Sequence, residues 1–145
     1  MEELLFKYKY LKRAIRRLSR MSGHIRNSPE RVYSNFDRDL HIYLLVHAYR
    51  LLWEFISIYL EVFEDVIANS PVACFREVFS LEIVTPDETT KLLKLIDLCN
   101  NTTNINNNKL DNYIFSKIPE YSELLEKVFS TLRDRLYSNL ILYNN

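Results

Sequence analysis

The amino-acid sequence predicts an all-α protein, a four- to five-helix up-down bundle in one domain spanning residues 1–145. The chain has one glycine and four prolines, too few for the turns of a β-sandwich or barrel, since glycine alone normally makes up about 7% of a chain. Apolar residues recur at alternating spacings of three and four, the period of an amphipathic helix. With 48% apolar residues, the chain is long enough to bury a core of its own.

The first helix is expected over residues 2–21. Its apolar stripe recurs at spacings of 4, 3, 4 and 3 residues. The stripe consists of Leu4, Tyr8, Leu11, Ile15 and Leu18. Ser22 and Gly23 are expected to end this helix, because glycine is the usual residue just past a helix. Residues 24–38 then indicate a polar connection, with a short turn beginning at Ser28.

The second helix is expected over residues 39–65, and its polar residues form one narrow stripe on an otherwise apolar helix. The stripe consists of His47, Arg50, Glu54, Ser57, Glu61 and Glu64. Such a helix must be covered around most of its circumference. It therefore needs either a central position or a second contact surface against another chain. We expect a homodimer to which this helix contributes, and we expect Trp53 to be a buried core residue.

Two shorter helices follow with clear start signals. Ser70 is a suitable N-cap for a helix over residues 71–81. Thr85 and Glu88 have the spacing of a capping box, which predicts a helix beginning at Pro86 and ending near Cys99.

The asparagine-rich residues 100–108 favour a polar loop, since asparagine prefers caps and turns to helix interiors. A fifth helix is expected over residues 110–139, with an apolar stripe at helical spacing. The stripe consists of Ile114, Ile118, Tyr121, Leu125, Val128 and Leu132. Pro119 lies inside this helix and is expected to kink or split it.

The composition also limits the function. Residues 42–63 are mostly apolar but carry charged side chains, which favours a buried helix over a membrane span. Residues 1–20 lack the uninterrupted apolar region of a secretory signal, and Cys74 and Cys99 form no disulfide framework, so a cytoplasmic protein is expected. No glycine-rich phosphate loop or zinc-ligand spacing is present, so we expect no cofactor and no metal.

Charge is distributed unevenly along the chain. Residues 1–32 carry nine basic and three acidic residues, a net charge of +6, and the remaining 113 residues carry −6. The basic surface of the first helix contains Arg13, Arg16, Arg17 and Arg20. It is either a solvated helix face or a docking surface for an acidic partner or RNA phosphate.

Three segments, in order, resemble a known family. Residues 49–54, Tyr-Arg-Leu-Leu-Trp-Glu, resemble a Tyr-x-Leu-x-Trp-Lys pattern in helix two of the nucleotidyltransferase substrate-binding proteins, which are small helical members of the HEPN superfamily. Residues 69–79 are similar to that family's Ser-Pro-Arg-x-x-x-Arg-Glu-Ala-Phe segment, and residues 118–125 to its Ile-Pro-x-Tyr-x-x-x-Leu. The resemblance covers about residues 40–132. It implies a helical bundle, usually a homodimer, paired with a minimal nucleotidyltransferase as a two-component enzyme or toxin–antitoxin module.

In the toxin form, the family's ribonuclease signature is Arg-Asn-x-Thr-x-His-x-Tyr at the end of helix four. The matching positions here are Cys99, Asn100, Thr102, Asn104 and Asn106. The resemblance thus implies that the arginine, histidine and tyrosine are replaced, and neither cysteine nor asparagine supplies the lost guanidinium or imidazole.

We therefore expect a non-catalytic subunit that binds a nucleotidyltransferase and its nucleotide or RNA substrate. One alternative is a divergent HEPN ribonuclease toxin that uses other residues. The other is a stand-alone helical RNA-binding or scaffold protein that uses the basic first helix.

Overall fold

The computed structural model describes residues 1–27, 33–102 and 108–143, and within these ranges all regular secondary structure is helical. The five α-helices are α1 (Glu2–Asn27), α2 (Asn35–Tyr59), α3 (Pro71–Ser80), α4 (Pro86–Asn101) and α5 (Asn108–Tyr143). This confirms the predicted all-α helical bundle.

Helix α1 is longer than predicted, and Gly23 lies inside it. The prediction that Ser22 and Gly23 end the helix was therefore wrong. A glycine inside a helix costs about 1 kcal/mol relative to alanine, and contacts with α5 offset that cost. The Nη2 atom of Arg26, beyond the glycine, donates a hydrogen bond of 2.8 Å to the main-chain oxygen of Pro119.

Helix α2 begins four residues earlier than predicted, because Ser34 caps it by accepting a hydrogen bond of 3.1 Å from the Asp37 main-chain N–H. The helix ends in a π-helical turn over Leu60–Glu64, and Asp65 then adopts a left-handed conformation with φ of 53°. The connection between α1 and α2 was predicted over residues 24–38. That prediction was wrong at both ends, because α1 continues to Asn27 and α2 begins at Asn35. The turn expected at Ser28 lies outside the described residues.

The starts of α3 and α4 are confirmed. Ser70 accepts a hydrogen bond of 3.2 Å from the main-chain N–H of Ala73, and Thr85 and Glu88 form both bonds of the capping box, at 2.8 and 3.1 Å. Helix α5 is 36 residues long and is not split at Pro119.

The long helices alternate in direction, and α3 is a short connecting helix. Helix α1 packs against α2 and α5, α3 packs on α2, and α4 packs on α3 and α5. Tyr8 near the start of α1 meets Tyr137 near the end of α5, so these two helices are antiparallel. Arg38 contacts Asn112, and Tyr59 contacts Asn139, so α2 and α5 are parallel.

The core lies between α1, α2 and α5 and extends under the α3–α4 pair. Leu11, Leu52, Phe55, Phe75 and Leu125 are completely buried in it. Because α2 packs against α1, α3 and α5, its central position accounts for its largely apolar circumference.

Trp53 was expected to be a buried core residue, and that prediction was wrong in degree. Its side chain is half-buried and packs against the edge of the core. The neighbouring Leu52, by contrast, is completely buried.

Candidate functional site

The arginines of α1 lie on its solvent side, as the sequence predicted. Arg13, Arg16, Arg17 and Arg20 are all accessible to solvent, and none of them forms an ion pair within the part of the chain that the structure describes. Two of them face α2 and two face α5, so α1 is flanked by a basic groove on each side.

The groove between α1 and α2, here called the α1–α2 groove, has a volume of about 230 Å³. Its lining consists of Tyr10, Arg13, Ala14, Arg17, Leu44 and His47. The Arg13 guanidinium lies 5.9 Å from the centre of the Tyr10 ring, a distance at which a cation is attracted to an aromatic face. The Phe6 ring, with 59% of its surface exposed, lies 4.7 Å from that of Tyr10. Along this side of α1, two aromatic side chains, Phe6 and Tyr10, are thus followed by two arginines, Arg13 and Arg17.

His47 adds no positive charge to the α1–α2 groove. Burial, followed by the positive charges of Arg50 and Arg17, lowers the pKa of its imidazole below the ordinary value of 6.5. The neutral ring accepts a hydrogen bond of 3.2 Å at Nδ1 from Arg50 Nη2, and Tyr43 stacks on it at 5.8 Å. At neutral pH, therefore, the lining residues that carry positive charge are Arg13 and Arg17.

The groove on the other side of the helix, here called the α1–α5 groove, is larger, with a volume of about 400 Å³. Its lining consists of Lys12, Ile15, Arg16, Ser19 and Arg20 from α1 and Glu126, Phe129, Ser130 and Arg133 from α5. Four of these residues are cations and one is an acid.

Sequence reasoning found Arg16 and Arg20 but missed the contribution of α5. Glu126, Ser130 and Arg133 recur at spacings of four and three, which placed them on one helix face. Nothing in the sequence indicated that this face meets α1.

The charge pattern does not stabilise α1. Lys12, Arg16 and Arg20 are spaced four residues apart, and like charges at this spacing destabilise a helix by about 0.2–0.5 kcal/mol per pair. Helix stability therefore does not explain the positions of these three residues. This observation favours a role in which they contact an anion.

Of the residues that the resemblance aligns with the family's ribonuclease signature, those that the structure describes do not line either groove. Cys99 is buried, and burial raises the pKa of its thiol to about 12, so it remains protonated and uncharged at neutral pH. Asn100 is exposed, and the Thr102 hydroxyl donates a hydrogen bond of 2.8 Å to the Cys99 main-chain oxygen. Asn104 and Asn106 lie outside the described residues. Neither basic groove is lined by a residue of α4.

A buried arginine that the sequence analysis did not identify joins the start of α2 to the start of α5. Arg38 donates a hydrogen bond of 3.1 Å to Asn112 Oδ1 and forms an ion pair of 3.6 Å with Asp111. These contacts link α2 with α5, and we assign them a structural role.

Residues 1–27, 33–102 and 108–143 contain no group of three or more His, Cys, Asp or Glu side chains that could hold a metal ion. In the same ranges no helix is both long and apolar enough to cross a membrane.

Comparison with known proteins identifies a fold but no family. No family model and no curated protein matches the chain. Among solved structures, the chain is similar to a protein from Thermus thermophilus, with a TM-score of 0.76 and 23% sequence identity over 85% of this chain and 98% of that one. At this identity the match supports the helical bundle and carries no information on activity.

Proposed function

We propose that this protein is a non-catalytic, HEPN-type binding subunit that pairs with a minimal nucleotidyltransferase in the cytoplasm, as a two-component enzyme or toxin–antitoxin module. The proposal rests on the resemblance of three segments within residues 40–132 to that family. The observation that carries the binding role is the row of solvent-accessible α1 arginines, which have no carboxylate partner among the described residues.

The α1–α2 side is the partner-docking face in this proposal. Tyrosine and arginine are among the residues most enriched at positions that dominate protein–protein binding energy. Phe6, Tyr10, Arg13 and Arg17 place both kinds of group on one accessible surface. A partner with an acidic surface would complement these charges, and such complementarity speeds association and favours the correct partner.

A non-catalytic role is supported by the chemistry of position 99. A HEPN-type ribonuclease needs a cation there, and the Cys99 thiol is buried and neutral. The two cysteines are unpaired and buried, which suits the reducing cytoplasm.

The test is to mix the purified protein with the small nucleotidyltransferase encoded beside its gene and to measure complex formation by light scattering and interferometry. We expect a complex that weakens between about 0.05 and 0.5 M salt, because the attraction between exposed charges is screened. The double variant Arg13→Glu/Arg17→Glu should weaken it by about tenfold or more.

Arg76→Glu/Lys94→Glu is the matched control. It makes the same change of net charge at exposed positions on α3 and α4, and it should leave the affinity within about twofold. The proposal fails if the neighbouring gene encodes no nucleotidyltransferase, if no complex forms, or if both double variants weaken the complex equally.

A further inference from the structure

The α1–α5 groove has the composition of an anion site rather than of an ordinary helix seam. Lys12, Arg16 and Arg20 converge on it from α1, and Arg133 converges from α5. Ser19 and Ser130 supply hydroxyl groups, and the side chains of Ile15 and Phe129 form an apolar floor. Hydrogen bonds from arginine and lysine to phosphate oxygens are among the strongest in proteins, because the charge assists the bond.

The positive charge in the groove is largely uncompensated. Glu126 is the one acid among the lining residues, and its carboxylate accepts a hydrogen bond of 3.2 Å from Ser19. Arg133 bonds to Asp134 at 3.4 Å, but Asp134 is exposed and does not line the groove. Four cations against one lining acid leave a local charge that an anion can neutralise.

Arginines from both helices that form the groove also influence the pKa of one tyrosine, Tyr8. Burial and the hydrogen bond with Tyr137 raise the pKa of Tyr8 to about 12, while the positive charges of Arg133 and Arg16 act in the opposite direction. Two guanidinium groups from different helices therefore lie within electrostatic reach of one phenol, and the ring of that tyrosine stacks at 5.6 Å on Phe129, which lines the groove.

We propose that the α1–α5 groove binds the linked phosphates of a small oligophosphate, with Lys12, Arg16 and Arg133 as the principal cationic contacts and Ser130 as a hydroxyl donor. The cavity of about 400 Å³ lies within the usual size range of small-molecule sites, about 300–1,000 Å³. The phosphates belong either to a nucleoside triphosphate or to an inorganic chain. This site extends the proposed function, because it is separate from the partner-docking face on the other side of α1.

The experiment titrates the full chain with ATP, GTP, CTP, UTP and inorganic tripolyphosphate by calorimetry at about 0.15 M salt, where charges outside the groove are largely screened. We expect at least one of them to bind with a dissociation constant below about 1 mM, and Arg16→Glu/Arg133→Glu to weaken that binding by about tenfold or more, because attraction becomes repulsion. Similar affinities for tripolyphosphate and the nucleotides identify the phosphate chain as the determinant. Tighter binding of one nucleotide identifies a nucleoside contact in addition.

The matched control is Arg76→Glu/Lys94→Glu, which makes the same charge change at exposed positions on α3 and α4 and should leave the affinity within about threefold. If Arg16→Glu/Arg133→Glu is unfolded by circular dichroism, Arg16→Gln/Arg133→Gln replaces it with the same expected direction. Absence of binding by every ligand at millimolar concentration, or equal weakening in both reversals, overturns the proposal. Either result leaves the test of partner docking intact, since that test measures a different complex.

Discussion

Arg26 in the last turn of α1 donates a hydrogen bond of 2.8 Å from Nη2 to the main-chain oxygen of Pro119 in the middle of α5. The same guanidinium donates from Nη1 to Glu123 Oε1 at 3.3 Å, so one side chain holds two successive turns of α5. These contacts join residues that are 93 and 97 positions apart in the chain. They explain why α1 continues past Gly23.

Arg26→Ala should therefore loosen the end of α1. We expect a loss of about 1 kcal/mol in the free energy of unfolding, since the contacts are partly exposed, and faster amide exchange over residues 22–27. Lys9→Ala is the control, because Lys9 is exposed on α1 and has no hydrogen-bond partner among the described residues. Unchanged exchange over residues 22–27 would show that another contact holds the helix end.

The capping box at the start of α4 should make stability depend on pH. Burial alone would raise the pKa of Glu88, but hydrogen bonds from Lys127 and from the Thr85 main chain outweigh it, so the pKa lies below the ordinary value of 4.5. A lowered folded-state pKa gives stability that is complete above the unfolded-state pKa and is lost as pH falls through the folded-state value. The difference in the free energy of unfolding between the native chain and Glu88→Gln should be larger at pH 7 than near pH 3.

A matched control and a second variant sharpen that test. Glu61→Gln removes an exposed carboxylate with no ion-pair partner in the described part of the chain and is the control at both pH values. Thr85→Ala should cost about 1 kcal/mol by removing the N-cap. A difference between the native chain and Glu88→Gln that is the same at both pH values would contradict the assignment.

The contrast between these two helix ends shows what local sequence can predict. Thr85 and Glu88 are three residues apart, and their hydrogen bonds follow from that spacing alone. The continuation of α1 depends on a contact with Pro119, which no local pattern contains. The same distinction between local pattern and long-range packing applies to the candidate site. Periodicity placed Arg16 on the solvent side of α1, but only the antiparallel packing of α1 and α5 brings Arg133 to it.

Trp53 offers a measure of burial at the edge of the core. Because its side chain is half-buried, Trp53→Ala should cost about 1–3 kcal/mol, less than the 3–5 kcal/mol typical of a fully buried tryptophan. Leu52→Ala, at a completely buried position, should cost about 2–5 kcal/mol. Chemical denaturation of both variants compares them directly. A larger loss of the free energy of unfolding at Trp53 than at Leu52 would support the original prediction that Trp53 is a buried core residue.

The exposed apolar surface of α2 is the candidate interface for the homodimer expected from the sequence. Phe36, Leu40 and Tyr43 share one face at helical spacing and have 76%, 39% and 60% of their surfaces exposed. Light scattering should give twice the chain mass of 17.4 kDa, and Phe36→Glu/Tyr43→Glu should give the single mass. Ile141→Glu/Leu142→Glu, at exposed apolar positions on α5, should remain dimeric. A native chain that is monomeric at micromolar concentration rules out the dimer.

The chemistry of α4 leads to the last prediction, that the protein does not cleave RNA. A HEPN-type ribonuclease needs a cation to hold the scissile phosphate and an imidazole to move protons, and loss of acid–base catalysis alone typically costs about 100- to 10,000-fold in rate. The resemblance aligns Cys99 with the cation position of that family, and its buried thiol is neutral because burial raises its pKa to about 12. The resemblance aligns Asn104 with the family's histidine, and an amide side chain does not exchange protons near neutral pH.

The measurement is incubation of the purified protein with total RNA, followed by gel analysis of fractions across the gel-filtration peak.

The rate of thiol alkylation tests independently whether the Cys99 side chain is buried. Alkylation of the native chain at pH 8 should be slow at Cys99, since the thiolate is the reactive form, and rapid only after unfolding. The sequence suggests Cys99→Arg/Asn104→His as a gain-of-function control, but the buried site makes it a poor one, because a guanidinium without a partner there would destabilise the fold. Cleavage that follows the protein peak would support the divergent ribonuclease instead, with catalytic residues other than Cys99 and Asn104.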